Sequence, residues 1–272
     1  LWLCRQLICV RFGSATCAVK VFSLCFFISG GARMCIIDRL SDKSEWEKYY
    51  EYKCTIGNIS KAESEDLRQY IDNLEYVSVV ENIKAGNTFA PAKKTLLNKT
   101  ATGKKRIVYT YSRNENYVLK LITFMLRDYD DLFCPNLYSF RKERGVKTAV
   151  KSILKIKNIG EYYTYKADIS NYFNSVDVDI ILTLLKKSLV NDTELYLFIE
   201  RLLKCPYVEY DGELITEQKG IMAGVPVSTF LANLYLMDMD KYFYENNIPY
   251  ARYSDDIIVF AKTEEELKFN IQ

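Results

Sequence analysis

The sequence predicts an α/β fold of the α+β kind, and three observations carry that reading. Apolar residues recur at helical spacing over 63–76, 115–129, 178–190 and 193–204. Short strand-like runs cover 162–169 and 250–261, each with a carboxylate at its end or its turn. Asp211-Gly212, set between Val208-Glu209-Tyr210 and Leu214-Ile215-Thr216, is a strong hairpin signal.

Taken in order, residues 1–33 stand apart. They hold four of the eight cysteines and no acidic residue, and the longest uncharged run, Val21 to Ala32, is too short to span a bilayer. Met34 is the first methionine, and an ordinary globular sequence begins there. The leading segment is therefore expected to be non-native upstream sequence or unstructured; the alternative is a signal peptide, since basic residues precede its apolar stretch. Residues 34–84 read as an N-terminal helical extension, with Leu67, Tyr70, Ile71 and Leu74 on one face of the 63–76 helix. Between Glu81 and Glu115 there are eight basic residues and no acid: Lys84, Lys93, Lys94, Lys99, Lys104, Lys105, Arg106 and Arg113. Such a stretch in a near-neutral chain is either a phosphate-facing surface or a solvated loop. Within it, Gly103-Lys104-Lys105-Arg106-Ile107-Val108-Tyr109 reads as a turn entering a strand.

The helix at 115–129 places Val118, Leu121, Ile122 and Met125 at helical spacing. A second basic cluster follows at Arg141, Lys142, Arg144, Lys147 and Lys151. Along the strand Tyr162 to Ile169, alternation puts Tyr162, Thr164, Lys166 and Asp168 on one face and Tyr163, Tyr165, Ala167 and Ile169 on the other. A loop at 220–227 leads to Ser228, read as the N-cap of a helix carrying Leu231, Leu234, Tyr235 and Met239. Tyr250 to Ala261 reads as two short strands folded about Ser254-Asp255.

Of the 272 residues, 49% are hydrophobic, enough for one large domain or two smaller ones, and the net charge of +2 does not by itself call for nucleic acid. The cysteines form no Cys-x-x-Cys pair, which argues against zinc or a disulfide framework and for a reducing cytoplasm. With no histidine in the chain, every imidazole mechanism is excluded, and chemistry must run on carboxylates, lysines or hydroxyls.

Asp255 and Asp256 are adjacent at a tight turn between apolar strands, where like charges disfavour each other's ionisation. A divalent cation relieves that repulsion, and an all-oxygen donor set favours Mg²⁺; the plainer reading is that Asp is common at turns. Asp168 also ends an apolar strand. If the two strands lie side by side, three carboxylates converge on one edge, an arrangement suited to in-line phosphoryl transfer.

Lys166-Ala167-Asp168-Ile169-Ser170-Asn171-Tyr172-Phe173 resembles motif A of bacterial reverse transcriptases. Gly220-Ile221-Met222-Ala223-Gly224-Val225-Pro226-Val227-Ser228 resembles motif B, and Tyr253-Ser254-Asp255-Asp256 matches the Tyr-x-Asp-Asp of motif C, in the family's order and spacing. Weaker similarity reaches upstream through Tyr138-Ser139-Phe140-Arg141 and the Lys105-Arg106 strand, covering roughly 85–272. The resemblance implies the fingers and palm of a right-hand polymerase, with a small antiparallel palm sheet backed by helices, ending before the primer grip and thumb. It implies an RNA-directed DNA polymerase that adds dNTPs to a primer 3′-hydroxyl by a two-metal mechanism. The group II intron, retron and phage-defence lineages all use this core.

The family's roles carry over by position. Asp168, Asp255 and Asp256 would be catalytic and, with the backbone carbonyl of Ile169, would hold two Mg²⁺ ions, for which Mn²⁺ is a substitute. Lys105 and Arg106 would reach the incoming triphosphate. Phe173, five residues after Asp168, would stand under the ribose and reject a 2′-hydroxyl. Ala223, Gly224 and Pro226 would shape the nucleotide pocket; the family has Gln where this chain has Ala223, which removes a polar contact. Arg141 would face nucleic-acid backbone or brace the fingers, and Ser228 would lie on the nucleic-acid side. The implied partners are an RNA template, a DNA or RNA primer, dNTPs and a cognate structured RNA, with no membrane. Two alternatives are a polymerase-fold protein that binds nucleic acid without copying it, as in phage defence, and an RNA-dependent RNA polymerase, which Phe173 disfavours.

Overall fold

The computed structural model describes residues 7–12 (backbone only), 35–57, 59–98 and 105–272. The expectations placed on the remainder of 1–33 and on Gly103-Lys104 lie outside the described residues. The strands are β1 (Leu7–Phe12), β2 (Ala92–Asn98), β3 (Lys105–Thr110), β4 (Tyr163–Ile169), β5 (Tyr207–Tyr210), β6 (Glu213–Thr216), β7 (Tyr250–Tyr253) and β8 (Asp256–Ala261). The first helices are α1 (Ile36–Arg39), α2 (Lys43–Thr55), α3 (Lys61–Asp72), α4 (Tyr76–Lys84), α5 (Arg113–Met125) and α6 (Val146–Leu154). They are followed by α7 (Tyr172–Ser175), α8 (Val178–Ser188), α9 (Thr193–Lys204), α10 (Ser228–Tyr235), α11 (Met237–Glu245) and α12 (Glu264–Asn270). The chain divides into two compact units: one holds 130–172 and 236–272 together with β1, and the other holds 35–129 and 173–235.

The first unit is built on a sheet of order β1-β4-β8-β7. β4, β8 and β7 are mutually antiparallel, and β1 adds a parallel edge to β4. Alternation along β4 and β8 sends Tyr165, Ala167, Ile257, Val259 and Ala261 to one face, where they pack with Phe243 and Met239 of α11 and Leu267 of α12. Each buried Ile, Val, Leu or Phe side chain among them contributes roughly 1.5–3 kcal/mol. Phe243 stacks on Tyr250 with ring centroids 4.3 Å apart. On the opposite face, Ala149 and Ile153 of α6 pack with Tyr138, Ala251 and Ile258. That face carries Lys166, Asp168 and Asp256 where the helix no longer covers it, and all three are exposed.

The second unit joins a helical core to a sheet of order β3-β2-β5-β6. Trp46, Tyr70 and Tyr76 are buried together, with Trp46 stacked on Tyr76 at 4.7 Å and its indole N–H donating to the Leu40 carbonyl at 2.9 Å. α5 begins with a capping box in which Ser112 and Glu115 satisfy each other's backbone N–H groups. The β5–β6 turn is the expected Asp211-Gly212 pair, with φ of 52° and 84°, as a two-residue type I′ turn requires.

The structure departs from the sequence reading in several places, and the helix expected over 115–129 ends at Met125. The helix expected over 63–76 stops at Asp72, and Leu74, at φ 55° and 47% exposed, turns the chain into α4 instead of joining the buried face. The run from Ser228 to Met239 is two helices, because Leu236 leaves helical geometry at φ −104°, ψ 14°. β2 was not anticipated: Ala-Lys-Lys-Thr-Leu-Leu-Asn has no clean period-2 alternation, and pairing with β3 and β5 makes it a strand.

Candidate functional site

The strand pairing of the first unit brings the sequence-predicted acids to one edge. Asp168, near the end of β4, sits directly across from Asp256, the first residue of β8. Asp255 lies in the two-residue turn between β7 and β8, closed by the Tyr253–Asp256 pair. The backbone N–H of Ile169 donates to the Asp255 carbonyl at 3.3 Å, which joins the strand end directly to the turn. Like charges directly opposite across a sheet destabilise it unless a cation offsets them. Lys166, two residues before Asp168 on the same face, places its Nζ 3.2 Å from Asp256 Oδ1. Carboxylates plus a nearby backbone carbonyl, with no imidazole or thiol among them, fit a hard divalent ion such as Mg²⁺ or Mn²⁺.

A buried polar network, not anticipated from the sequence, holds the turn in place. Ser254 has a positive φ of 60°, as the first central residue of a tight two-residue hairpin turn does. Its N–H donates to Ser139 Oγ at 2.9 Å, and its carbonyl accepts from Arg252 Nη1 at 3.1 Å. Arg252 is completely buried on β7 and forms a two-pronged ion pair with the equally buried Asp240 of α11, its Nε lying 2.8 Å from Asp240 Oδ1. Tyr250 also donates to Asp240 Oδ1 at 2.8 Å, and Asn136 Nδ2 donates to the Asp240 backbone carbonyl at 2.9 Å. Burial opposes the charged guanidinium, but the Asp240 carboxylate more than offsets it, and Arg252 titrates above its ordinary value.

In the second unit, the loop at 220–224 is stitched to two segments. Ile221 N–H donates to the Phe173 carbonyl at 2.8 Å, and Ala223 N–H donates to Asn174 Oδ1 at 3.0 Å. The Ala223 carbonyl accepts from Tyr109 N–H of β3 at 2.7 Å. Asn174 Nδ2 reaches the Ile107 carbonyl of the same strand at 3.4 Å. These approaches explain two glycines. A Cβ on Gly220 (φ 51°) would meet the Phe173 carbonyl oxygen at 2.5 Å, and one on Gly224 (φ 99°) would meet the Tyr109 carbonyl oxygen at 2.9 Å. Gly220→Ala is therefore expected to lose roughly 2–3 kcal/mol of stability, measured as a lower urea midpoint at unchanged m-value.

The remaining predicted residues fall into two groups. Lys105 and Arg106 are exposed at the start of β3, on the strand that anchors the 220–224 loop. Phe173 and Pro226 are half-buried, and Ala223 is buried. Arg141 and Ser228 are committed internally. The Arg141 side chain is only 5% exposed; it pairs with Asp130 through Nε at 2.7 Å and Nη2 at 2.8 Å and also donates to the carbonyls of Cys134 and Leu137. These bonds tie Arg141 to its own segment, within the first unit. Ser228 is fully buried, and its hydroxyl donates to the Ile221 and Met222 carbonyls, so it ties helix to loop instead of accepting from N–H groups as an N-cap would. Lys219, just before the loop, is buried with its ammonium donating to the Cys205 carbonyl, and burial lowers its pKa.

A separate group of ligand-type side chains, Cys35, Asp38 and Glu194, lies on the second unit with ligand atoms within 4.8 Å of one another. Burial and the adjacent Asp192 carboxylate push the Cys35 thiol up to about 12, so it donates a hydrogen bond to Asp192 instead of offering a thiolate. Among the described residues no helix is long and apolar enough to cross a membrane.

The family model described as reverse transcriptase (RNA-dependent DNA polymerase) matches residues 92–272. Group II intron-encoded protein LtrA of Lactococcus lactis subsp. cremoris is 23% identical over 194 residues, which is 70% of this chain and 32% of that protein. The COX1/OXI3 intron 2 protein of Saccharomyces cerevisiae is 25% identical over 199 residues, covering 71% of this chain and 23% of its own length. The chain thus spans about a third or less of the length of these relatives. Apo telomerase from Candida tropicalis, truncated from its C-terminal domain, superposes with a TM-score of 0.51 at 14% identity, covering 67% of this chain and 45% of that one. At that identity it supports the fold alone.

Proposed function

The chain belongs to the reverse transcriptase (RNA-dependent DNA polymerase) family, and from that premise we propose that it extends a primer 3′-hydroxyl with dNTPs along an RNA template. The observation that carries this reading is the facing pair Asp168 and Asp256 with Asp255 in the adjoining turn. On it, Asp168, Asp255 and Asp256, with the Ile169 carbonyl, hold two Mg²⁺ ions, and Mn²⁺ can replace them. Bound ions of this kind acidify an attacking hydroxyl and neutralise a triphosphate and its leaving pyrophosphate.

The protein's own groups do the positioning. Lys105 and Arg106 take the triphosphate oxygens, Arg106 with a bidentate fork. Gly224 and Pro226 shape the surface under the nascent pair, and the small Ala223 leaves its backbone to the Tyr109 and Asn174 bonds. Phe173 stands against the ribose and rejects a 2′-hydroxyl. Phe173→Ala is accordingly expected to lower the dNTP/rNTP ratio of kcat/KM by roughly 10–100-fold, with dNTP use retained. RNA template, DNA or RNA primer and dNTPs are the partners on this reading, a cognate structured RNA is a further one, and the cytoplasm is the compartment. Because phosphate contacts dominate such binding, affinity for primer–template should fall steeply with salt.

Primer extension tests the proposal directly: the full gene product, Mg²⁺, an RNA template annealed to a DNA primer, and labelled dNTPs. Template-dependent extension supports it. A folded protein that binds the duplex and incorporates nothing on RNA or DNA templates, with Mg²⁺ or Mn²⁺, overturns it in favour of a binding role without synthesis.

A further inference from the structure

We infer that Lys166 is a built-in counter-ion that occupies Asp256 when no divalent ion is bound and so sets the metal affinity of the acid edge. The inference deepens the reading of Asp168, Asp255 and Asp256 as metal ligands and rests on it.

Three observations carry it. Lys166 Nζ lies 3.2 Å from Asp256 Oδ1. The two residues are on adjacent antiparallel strands, with Lys166 opposite Ile258 and Asp256 opposite Asp168, so the lysine side chain reaches diagonally across the pair. Both partners are half-exposed, 47% and 54%, which makes the pair weak and readily exchanged.

The consequence follows from charge. Without a metal, Asp168 and Asp256 face each other and Asp255 adjoins them, and the Lys166 ammonium on Asp256 reduces the repulsion. A divalent ion that takes Asp256 must first displace that ammonium and then sits near a like charge. The lysine therefore stabilises the metal-free edge and opposes metal entry, keeping the site exchangeable. A neutral side chain of similar length removes the competitor while leaving all three acids. Lys166 acts only through Asp256, so it is a positioning residue.

The test is a titration of the full gene product with Mn²⁺ alone, followed by electron paramagnetic resonance of the free ion, on wild type, Lys166→Met, Lys166→Arg and Asp255→Asn. Lys166→Met is expected to tighten Mn²⁺ binding by about 3–10-fold, and Lys166→Arg, which restores the charge, to return it towards wild type. Thermal unfolding without metal should show Lys166→Met slightly less stable, and the metal-induced rise in Tm should be larger for it than for wild type. A merely structural lysine would weaken metal binding or leave it unchanged, and either result for Lys166→Met overturns the inference. The metal-ligand reading is judged separately: if wild type binds no Mn²⁺ that Asp255→Asn loses, that reading fails and the inference falls with it. If that binding is present and Lys166→Met does not tighten it, only the inference falls.

Discussion

Asp255→Asn is expected to reduce dNTP incorporation by on the order of 10³-fold or more, while the metal-free protein unfolds within a few degrees of wild type. The size follows from the proposed role: a carboxylate that holds an ion against developing phosphoryl charge contributes several kcal/mol to the transition state, and each 1.36 kcal/mol is tenfold in rate. The fold should tolerate the change because the hydrogen bond that ties Asp255 to Ile169 is through its backbone carbonyl, which the Asn retains. Replacing one of three crowded carboxylates also relieves repulsion, so metal-free stability is expected to hold or rise slightly. Single-turnover incorporation with Mg²⁺, alongside a thermal melt in chelator, checks both halves. Retained incorporation would remove Asp255 from the metal site; a collapsed melting curve would show that its role is structural.

The acid edge was legible in the sequence because its signals are local. A carboxylate that ends an apolar strand and a pair of carboxylates at a tight turn are readable without knowing what lies opposite. The loop glycines were legible as glycines, but their reason was not. Gly220 and Gly224 are required because the Phe173 and Tyr109 backbones press against them, and those contacts are distant in sequence. Ser228 shows a different limit: a serine before an apolar run reads as an N-cap, yet a buried hydroxyl beside the Ile221 and Met222 carbonyls is better used as a donor. Arg141 was readable as basic, but charge alone could not distinguish a phosphate contact from its bonds to Asp130 and nearby carbonyls. Leu74 kept the helical period of its neighbours and still left the helix, because period says nothing of where a chain must turn into α4.

The largest stability effect is expected at a residue that the sequence reading passed over. Arg252 sits inside a four-residue strand, and its partner Asp240 lies twelve positions earlier on a helix, a separation at which no local pattern pairs charges. Both are fully buried, so Arg252→Met leaves the Asp240 carboxylate desolvated with, among the described residues, only the Tyr250 hydroxyl donating to its side chain. Breaking one partner of such a pair costs about 3–5 kcal/mol, read as a lower denaturant midpoint. The pair is not equivalent to its apolar replacement. Asp240→Leu with Arg252→Met removes both charges and should recover much of that loss, since a buried ion pair is often no more stabilising than well-packed side chains of similar volume. What the double variant cannot recover is the bond from Arg252 to the Ser254 carbonyl, which holds the left-handed turn beside Asp255. It should therefore fold yet bind Mn²⁺ more weakly than wild type. Equal metal affinity in the refolded double variant would mean that Ser139 and the strand pairing hold the turn by themselves, and that the buried ion pair serves the fold alone.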